Sequence, residues 1–300
     1  TRAEDSVKFT TAYSEFLKKT GRSFTSISVV YINENLIPDE VRKSRCRNSG
    51  NHLLNACNFA RLMIGEFFRY TKLVYLDADS IVQHDIGRGL KKLDLDQSDV
   101  YSFCANYAGT KTTSNILPLR NILAEQYDWR SLIGRDIDGA SYAYMGAPFY
   151  TNCSKWSAVY DTVLKVVRAH NASPTPLYSL FTMSLMNIVF YGKMGGIRGT
   201  KGTGVKTLCD LGSKRKEWTE HLLESADVID WSGQYKPWYK NGLYRHRWTA
   251  HDVLNLSARF GDLVEVDKRV VEVYKGEKDS NCPLDPPGFG TARLLCAFGP

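Results

Sequence analysis

Two aspartates separated by one residue, Asp77 and Asp79, follow the apolar run Leu73-Val-Tyr-Leu76. That run reads as a buried strand, because branched and aromatic side chains suit a pleated, packed surface. Two like charges at its end are costly unless a positive group meets them. In an extended segment residues i and i+2 share a face, so both carboxylates can converge on one hard divalent cation, with the small Ala78 turned away. Strand carboxyl ends are also where open α/β sheets bind ligands. A solvated acidic turn would use the same residues, and their spacing leaves both readings open.

The elements around this pair are read from periodicity. Phe9, Ala12, Tyr13, Phe16 and Leu17 form the stripe of an amphipathic helix, and residues 26–32 read as a buried strand. A second helix is expected from about Asn51 to Phe68, with Leu53, Cys57, Ala60, Ile64 and Phe67 on one face, feeding the strand at Lys72. Asp99–Tyr107 and Ala143–Thr151 read as strands; between Ser154 and His170 a helix turns Trp156, Tyr160, Val163 and Val167 inward. Strand and helix alternate, which predicts a layered α/β domain with a mixed, mostly parallel sheet. The apolar stretch Leu177–Gly192 is broken by Ser179, Thr182, Ser184 and Asn187, and reads as a core helix rather than a membrane span. Residues 192–207, rich in Gly and Lys, read as a loop, and a short strand is expected at Ala226–Trp231.

The whole chain, 300 residues with 43% hydrophobic content, can bury a large core. Its net charge of +7 favours an anionic partner, and a phosphate-bearing ligand, nucleic acid and an acidic membrane all qualify. The basic residues are dispersed and lack an interleaved aromatic motif, which argues against nucleic acid. The seven cysteines include no C-x-x-C pair, so a structural zinc is not expected; Cys282 and Cys296 flank a loop that a disulfide would close. Sequons at Asn152, Asn171 and Asn255 suit the secretory-pathway lumen. The chain opens at Thr1 without an initiator Met or a visible signal peptide, as a processed or trimmed chain would.

Three weaker constellations stand elsewhere in the sequence. Gly199–Thr207 resembles a phosphate-binding P-loop, but Val205 separates Gly204 from Lys206 and a solvated loop is the plainer reading. His246 and His251 offer metal ligands, although surface or core histidines are the plainer reading. Asp136 and Asp138 would reach an acceptor hydroxyl, or form an acidic turn with no function.

Two ordered stretches carry a resemblance. Residues 58–86, with Arg61-Leu62 on the helix, the strand ending Asp77-Ala78-Asp79 and the pair Asp85-Ile86, resemble the core of family 8 glycosyltransferases, of the glycogenin, galacturonosyltransferase-like and lipopolysaccharide galactosyltransferase type. Asp230-Trp-Ser-Gly-Gln-Tyr-Lys-Pro-Trp238 resembles the family's His-aromatic-x-Gly-x-x-Lys-Pro-Trp signature. The resemblance spans about Ser6 to Trp248, giving a catalytic-type domain over 1–256 and a Pro/Gly-rich extension over 257–300. It implies a GT-A fold, a Rossmann-like nucleotide-sugar-binding domain, and a metal-dependent retaining transfer from a UDP-sugar to a glycan or glycoprotein hydroxyl, which the sequons would place in the secretory-pathway lumen, the Golgi, rather than the cytoplasm.

By that resemblance, Asp77, Asp79 and Asp230 would hold Mn²⁺ or Mg²⁺, and Asp77 would also touch the donor ribose. Lys236 would hold the diphosphate, Gly233 would let the backbone approach it, and Arg61 would reach the donor sugar; Pro237 and Trp238 would stiffen that loop. On the acceptor side stand Asp138 and Asn187. No catalytic nucleophile is assigned. Asp230 replaces the family's His, making a harder metal site. Gly146 and Pro148 replace an Asn and a Gly, Thr182 and Met183 replace an acid and an amide, and the strand that should open the fold lies outside the sequence. These departures motivate a rival expectation: a catalytically impaired scaffold serving as a binding subunit of a larger assembly.

Overall fold

A computed structural model of the protein describes residues 11, 14–21, 37–42, 56–68, 72–92, 100–102, 117–156, 159–196, 205–213, 217–233 and 235–252. The strand expected at 26–32 and the 257–300 extension lie outside these residues. Helical segments are α1 (residues 14–20), α2 (Asp39–Arg42), α3 (Ala56–Phe59) and α4 (Ile64–Phe67), the last two joined by a 3₁₀ turn at Ala60–Met63. They continue as α5 (Gly87–Lys92), α6 (Trp129–Ile133), α7 (Val159–Ala172), α8 (Phe181–Val189), α9 (Glu220–Ser225) and α10 (Arg245–Thr249). The strands are β1 (Lys72–Tyr75), β2 (Ser80–Val82), β3 (Val100–Ser102), β4 (Phe149–Asn152), β5 (Met194–Gly196), β6 (Thr207–Leu208) and β7 (Val228–Asp230).

The strands form two sheets, one in the order β1-β4-β3-β5 and one in the order β2-β7-β6. The expected mixed α/β architecture is present; two of the described ladders, β3·β5 and β6·β7, are parallel and three are antiparallel. Because β4 runs against both β1 and β3, strands β1, β3 and β5 share a direction. Tyr75, Phe149, Ser102 and Gly196 therefore align along one edge, while Lys72, Asn152, Val100 and Met194 lie towards the other. The turn containing Asp77 and Asp79, closed by Ser80 N–H donating to the Asp77 carbonyl at 3.1 Å, carries the chain from the first sheet into the second.

Helix α8 is buried nearly all round, as its near-continuous apolar sequence requires, and packs on α7, whose Val163, Val166 and Val167 are buried in the same core. Trp156 and Phe149 stack in this core, with ring centroids 6.0 Å apart, and Phe149 stacks in turn on Tyr75 at 5.0 Å. Two expectations are corrected: residues 192–207, read as a loop, contain β5, and the strand expected from Ala143 begins only at Phe149. Before it, Tyr142 makes an isolated bridge with Pro118 and Ala143 N–H donates to Leu117 O at 2.9 Å, while Asn187 holds Tyr144, its Oδ1 accepting from the N–H at 2.8 Å and its Nδ2 donating to the carbonyl at 2.9 Å.

Candidate active site

Arg61 leaves the buried 3₁₀ turn pointing at the end of β1. Its Nη2 donates to both oxygens of Asp77, at 3.1 and 3.2 Å, and to Asn58 Oδ1 at 3.1 Å, while Nη1 donates to Gly146 O at 2.9 Å. Tyr75 adds a third anchor: its ring lies in the core, Arg61 sits over that ring at 5.3 Å, and its hydroxyl donates to Asp77 Oδ1 at 2.9 Å. Burial works against the Arg61 charge, but Asp77 and Tyr75 outweigh it and hold the guanidinium above its ordinary range. Its Nε is buried and has no partner among the described residues.

Two residues on, the Asp79 carboxylate accepts from Lys236 Nζ, which also donates to Trp231 O at 2.7 Å. Burial disfavours the Lys236 ammonium, and Asp79, Asp230 and Asp77 more than restore it. Trp231 N–H donates to Asp79 O at 2.9 Å, which ties the end of β7 to the acidic turn. The β2·β7 register places Ser80 opposite Asp230, and the Ser80 hydroxyl donates to Asp230 Oδ2 at 2.7 Å; Ser232 N–H donates to Oδ1 at 3.0 Å. Burial first, then the charge of Asp79, pushes the Asp230 carboxyl up to about 7, against the pull of Ser232 and Ser80.

The loop after β7 is fixed by backbone contact and by indole packing. Gly233 has φ +114°, and a Cβ there would come within 2.4 Å of Gly212 O. The close approach expected of this glycine is thus made to the protein's own Gly212. Trp231 donates its indole N–H to Leu243 O at 2.7 Å, and its ring meets Trp248 edge to face at 5.9 Å. Trp238 meets the same Trp248 ring at 5.3 Å.

The structure therefore gathers Arg61, Asp77, Asp79, Asp230 and Lys236, residues far apart in sequence, at one edge. Asp138 stands apart in an exposed turn, accepting from Ala140 N–H at 2.8 Å. Asn187 is buried, and its amide is spent on Tyr144 and on Met183 O at 2.8 Å, so it positions the segment leading to Gly146. His246 pairs with Glu220 at 2.9 Å on the surface, and Lys206 is bound through its backbone to Asp227 at 2.6 Å. Tyr75, Ser80, Asn58, Ser232 and Gly212 are the site residues that sequence reasoning missed. Tyr75 alone carried a signal, two residues before Asp77 on the same strand face.

Among the described residues no three His, Cys, Asp or Glu side chains form a ready-made metal centre. The donor chemistry itself, three carboxylates near the same turn, fits a hard divalent cation and not a soft one.

The chain belongs to glycosyltransferase family 8, whose family model matches residues 6–242. Among curated relatives, human glycosyltransferase 8 domain-containing protein 2 is 24% identical over 220 residues, covering 69% of this chain and 61% of the relative. The mouse protein of the same name is 23% identical over 237 residues, covering 75% and 65%. The chain thus spans less than two thirds of the length of these relatives. Among solved structures, galactosyltransferase LgtC in complex with donor and acceptor sugar analogs is similar at 15% identity and a TM-score of 0.44, covering 81% of this chain and 77% of that one. The glycosyltransferase GlyE of Streptococcus pneumoniae is similar at 17% identity and a TM-score of 0.38, covering 67% and 46%.

Proposed function

We propose that this domain transfers a sugar from a UDP-sugar to a hydroxyl of a glycan or glycoprotein, with a divalent cation and with retention of anomeric configuration. One observation carries the reading: the charged residues of both family motifs meet in one cluster at the end of β1, joined through Arg61, Asp77, Asp79, Trp231 and Lys236. Asp77, Asp79 and Asp230 are the residues that would hold Mn²⁺ or Mg²⁺, which when bound would neutralise charge developing on a departing diphosphate. Lys236 supplies a movable point charge for that diphosphate, whereas Arg61 is rigid. The buried Nε–H of Arg61 has no partner among the described residues, and is a donor suited to a ligand hydroxyl or ribose oxygen. Catalysis would come from orientation and fixed charge.

A lumenal, oxidising compartment, the Golgi in particular, fits the disulfide-bonded Cys209 together with the sequons. No helix among the described residues is long and apolar enough to cross a membrane.

The scaffold reading keeps one specific support. Helix α8 offers little to a sugar: Thr182, Ser184 and Asn187 are buried, Ser184 Oγ accepts from Leu180 N–H at 3.1 Å, and Met183 lies beside Gly146. Calorimetric titration of UDP with Mn²⁺, repeated with chelator and with Asp79→Ala, followed by a UDP-sugar hydrolysis panel, separates the two. Metal-dependent binding lost in the variant, with turnover of one donor, is the expected result. Binding without turnover would favour the scaffold, and no binding by folded protein would sink both.

A further inference from the structure

Across the sheet from Asp77 lies a cavity of about 320 Å³ that none of the candidate active-site residues lines. Lys193 precedes Met194 and Lys155 follows Asn152, so both stand at the Lys72 edge of the first sheet, opposite the acidic turn. Arg135, after α6, and Lys165, on α7, complete a lining with four basic side chains and no acidic one. Among the described residues, Lys155 and Lys165 stand in no ion pair.

Arg135 is held in place: its Nη1 donates to Tyr191 O at 2.6 Å and its Nη2 to Val189 O at 3.2 Å. These carbonyls end α8, so the guanidinium offsets the negative end of that helix dipole, which would otherwise oppose an anion here. The first turns of the 14-residue α7, with Val159 and Thr162, present the opposite, positive end to the same space. The floor is apolar, made by Ile133, Val159, Val189 and Phe190. A concave site with an apolar floor and a basic rim selects a ligand that joins an anionic group to a less polar body.

We propose that this cavity is a second ligand site, specific for a phosphate-bearing group. A single carboxylate leaves most of the rim's charge unmatched, whereas a phosphate dianion can accept from both lysines beside the fixed guanidinium charge of Arg135. The volume accommodates a phosphate with a six-membered ring beside it. The phosphate can come from a soluble sugar phosphate or from a lipid headgroup.

The test uses the full chain and inorganic pyrophosphate, titrated calorimetrically with chelator present so that no divalent ion contributes. Wild type is expected to bind, and Lys155→Glu with Lys165→Glu to bind at least about tenfold more weakly. The neutral pair, Lys155→Ala with Lys165→Ala, should fall between, and since both lysines are exposed the variants should melt with wild type. Undiminished binding by the Glu pair, or no binding by wild type, would overturn the proposal. Flotation with phosphatidylcholine vesicles, with and without phosphatidylinositol 4-phosphate, assigns the source. Lipid-dependent flotation lost in the Glu pair means a headgroup; pyrophosphate binding without flotation means a soluble ligand.

Discussion

The two edges of the first sheet handle charge in opposite ways. At the Asp77 edge the charges are buried or half-buried, and each is matched: Arg61 by Asp77, Lys236 by Asp79, Asp230 by Ser80 and Ser232. At the Lys72 edge Lys155, Lys165 and Lys193 are exposed, and the cavity they line contains no carboxylate. The first edge is a structural unit, in which removing one partner strands another in a poorly solvated place. The second is held by the core beneath it and carries its lysines at almost no cost. Stability and ligand binding should therefore be inseparable at the first edge and separable at the second.

The largest test is Arg61→Met. It leaves Asp77 beside Asp79 without its guanidinium, and should cost about 3–5 kcal/mol in urea unfolding. A loss below about 1 kcal/mol would mean that the matched charges are not what holds this edge. Next, Gly233→Ala forces a side chain against Gly212 at positive φ and should cost about 3 kcal/mol, with UDP binding weakened in the same sample. Asn187→Ala strips buried partners from the backbone of Tyr144 and should cost about 2 kcal/mol by the same assay. It separates a positioning role from an acceptor contact, because a purely acceptor-binding Asn187 would leave the unfolding midpoint where it is. Lys165→Ala, at the opposite edge, should shift stability by no more than about 0.5 kcal/mol.

The smallest expected effect concerns Cys153, the buried free thiol next to Asn152. Burial pushes it up to about 12, so native protein should resist iodoacetamide at pH 8 while unfolded protein reacts. The raised value also fixes a sign. The folded state keeps its proton longer, so the contribution is complete below the unfolded thiol's value and is lost as pH rises from there through about 12. Rapid native labelling at Cys153 would show that the Lys72 edge opens more readily than its packing implies.

What was legible in advance follows the range of the interactions involved. The strand ending at Asp77 and helix α8 announce themselves through local apolar runs, and both are found where those runs lie. The acidic turn could be seen, and its cationic partners were nameable through the family motifs. Of the two serines on Asp230, Ser80 could not, since it meets the carboxylate across 150 positions through a register that no local pattern encodes. The late start of β4 has a similar cause: the apolar sequence suits a strand throughout, but distant groups, Leu117 O and the Asn187 amide, take up backbone groups of Ala143 and Tyr144. The role of Gly233 was assigned to a ligand because the loop it meets, around Gly212, has no motif of its own.

The indole trio has a practical consequence. Trp231, whose carbonyl accepts from Lys236, and Trp238, two residues beyond that lysine, both meet Trp248 edge to face. Any ligand that draws Lys236 away from Asp79 displaces a coupled set of chromophores. The loop is therefore its own optical gauge: unlabelled protein should report donor-site occupancy through tryptophan emission and near-ultraviolet dichroism.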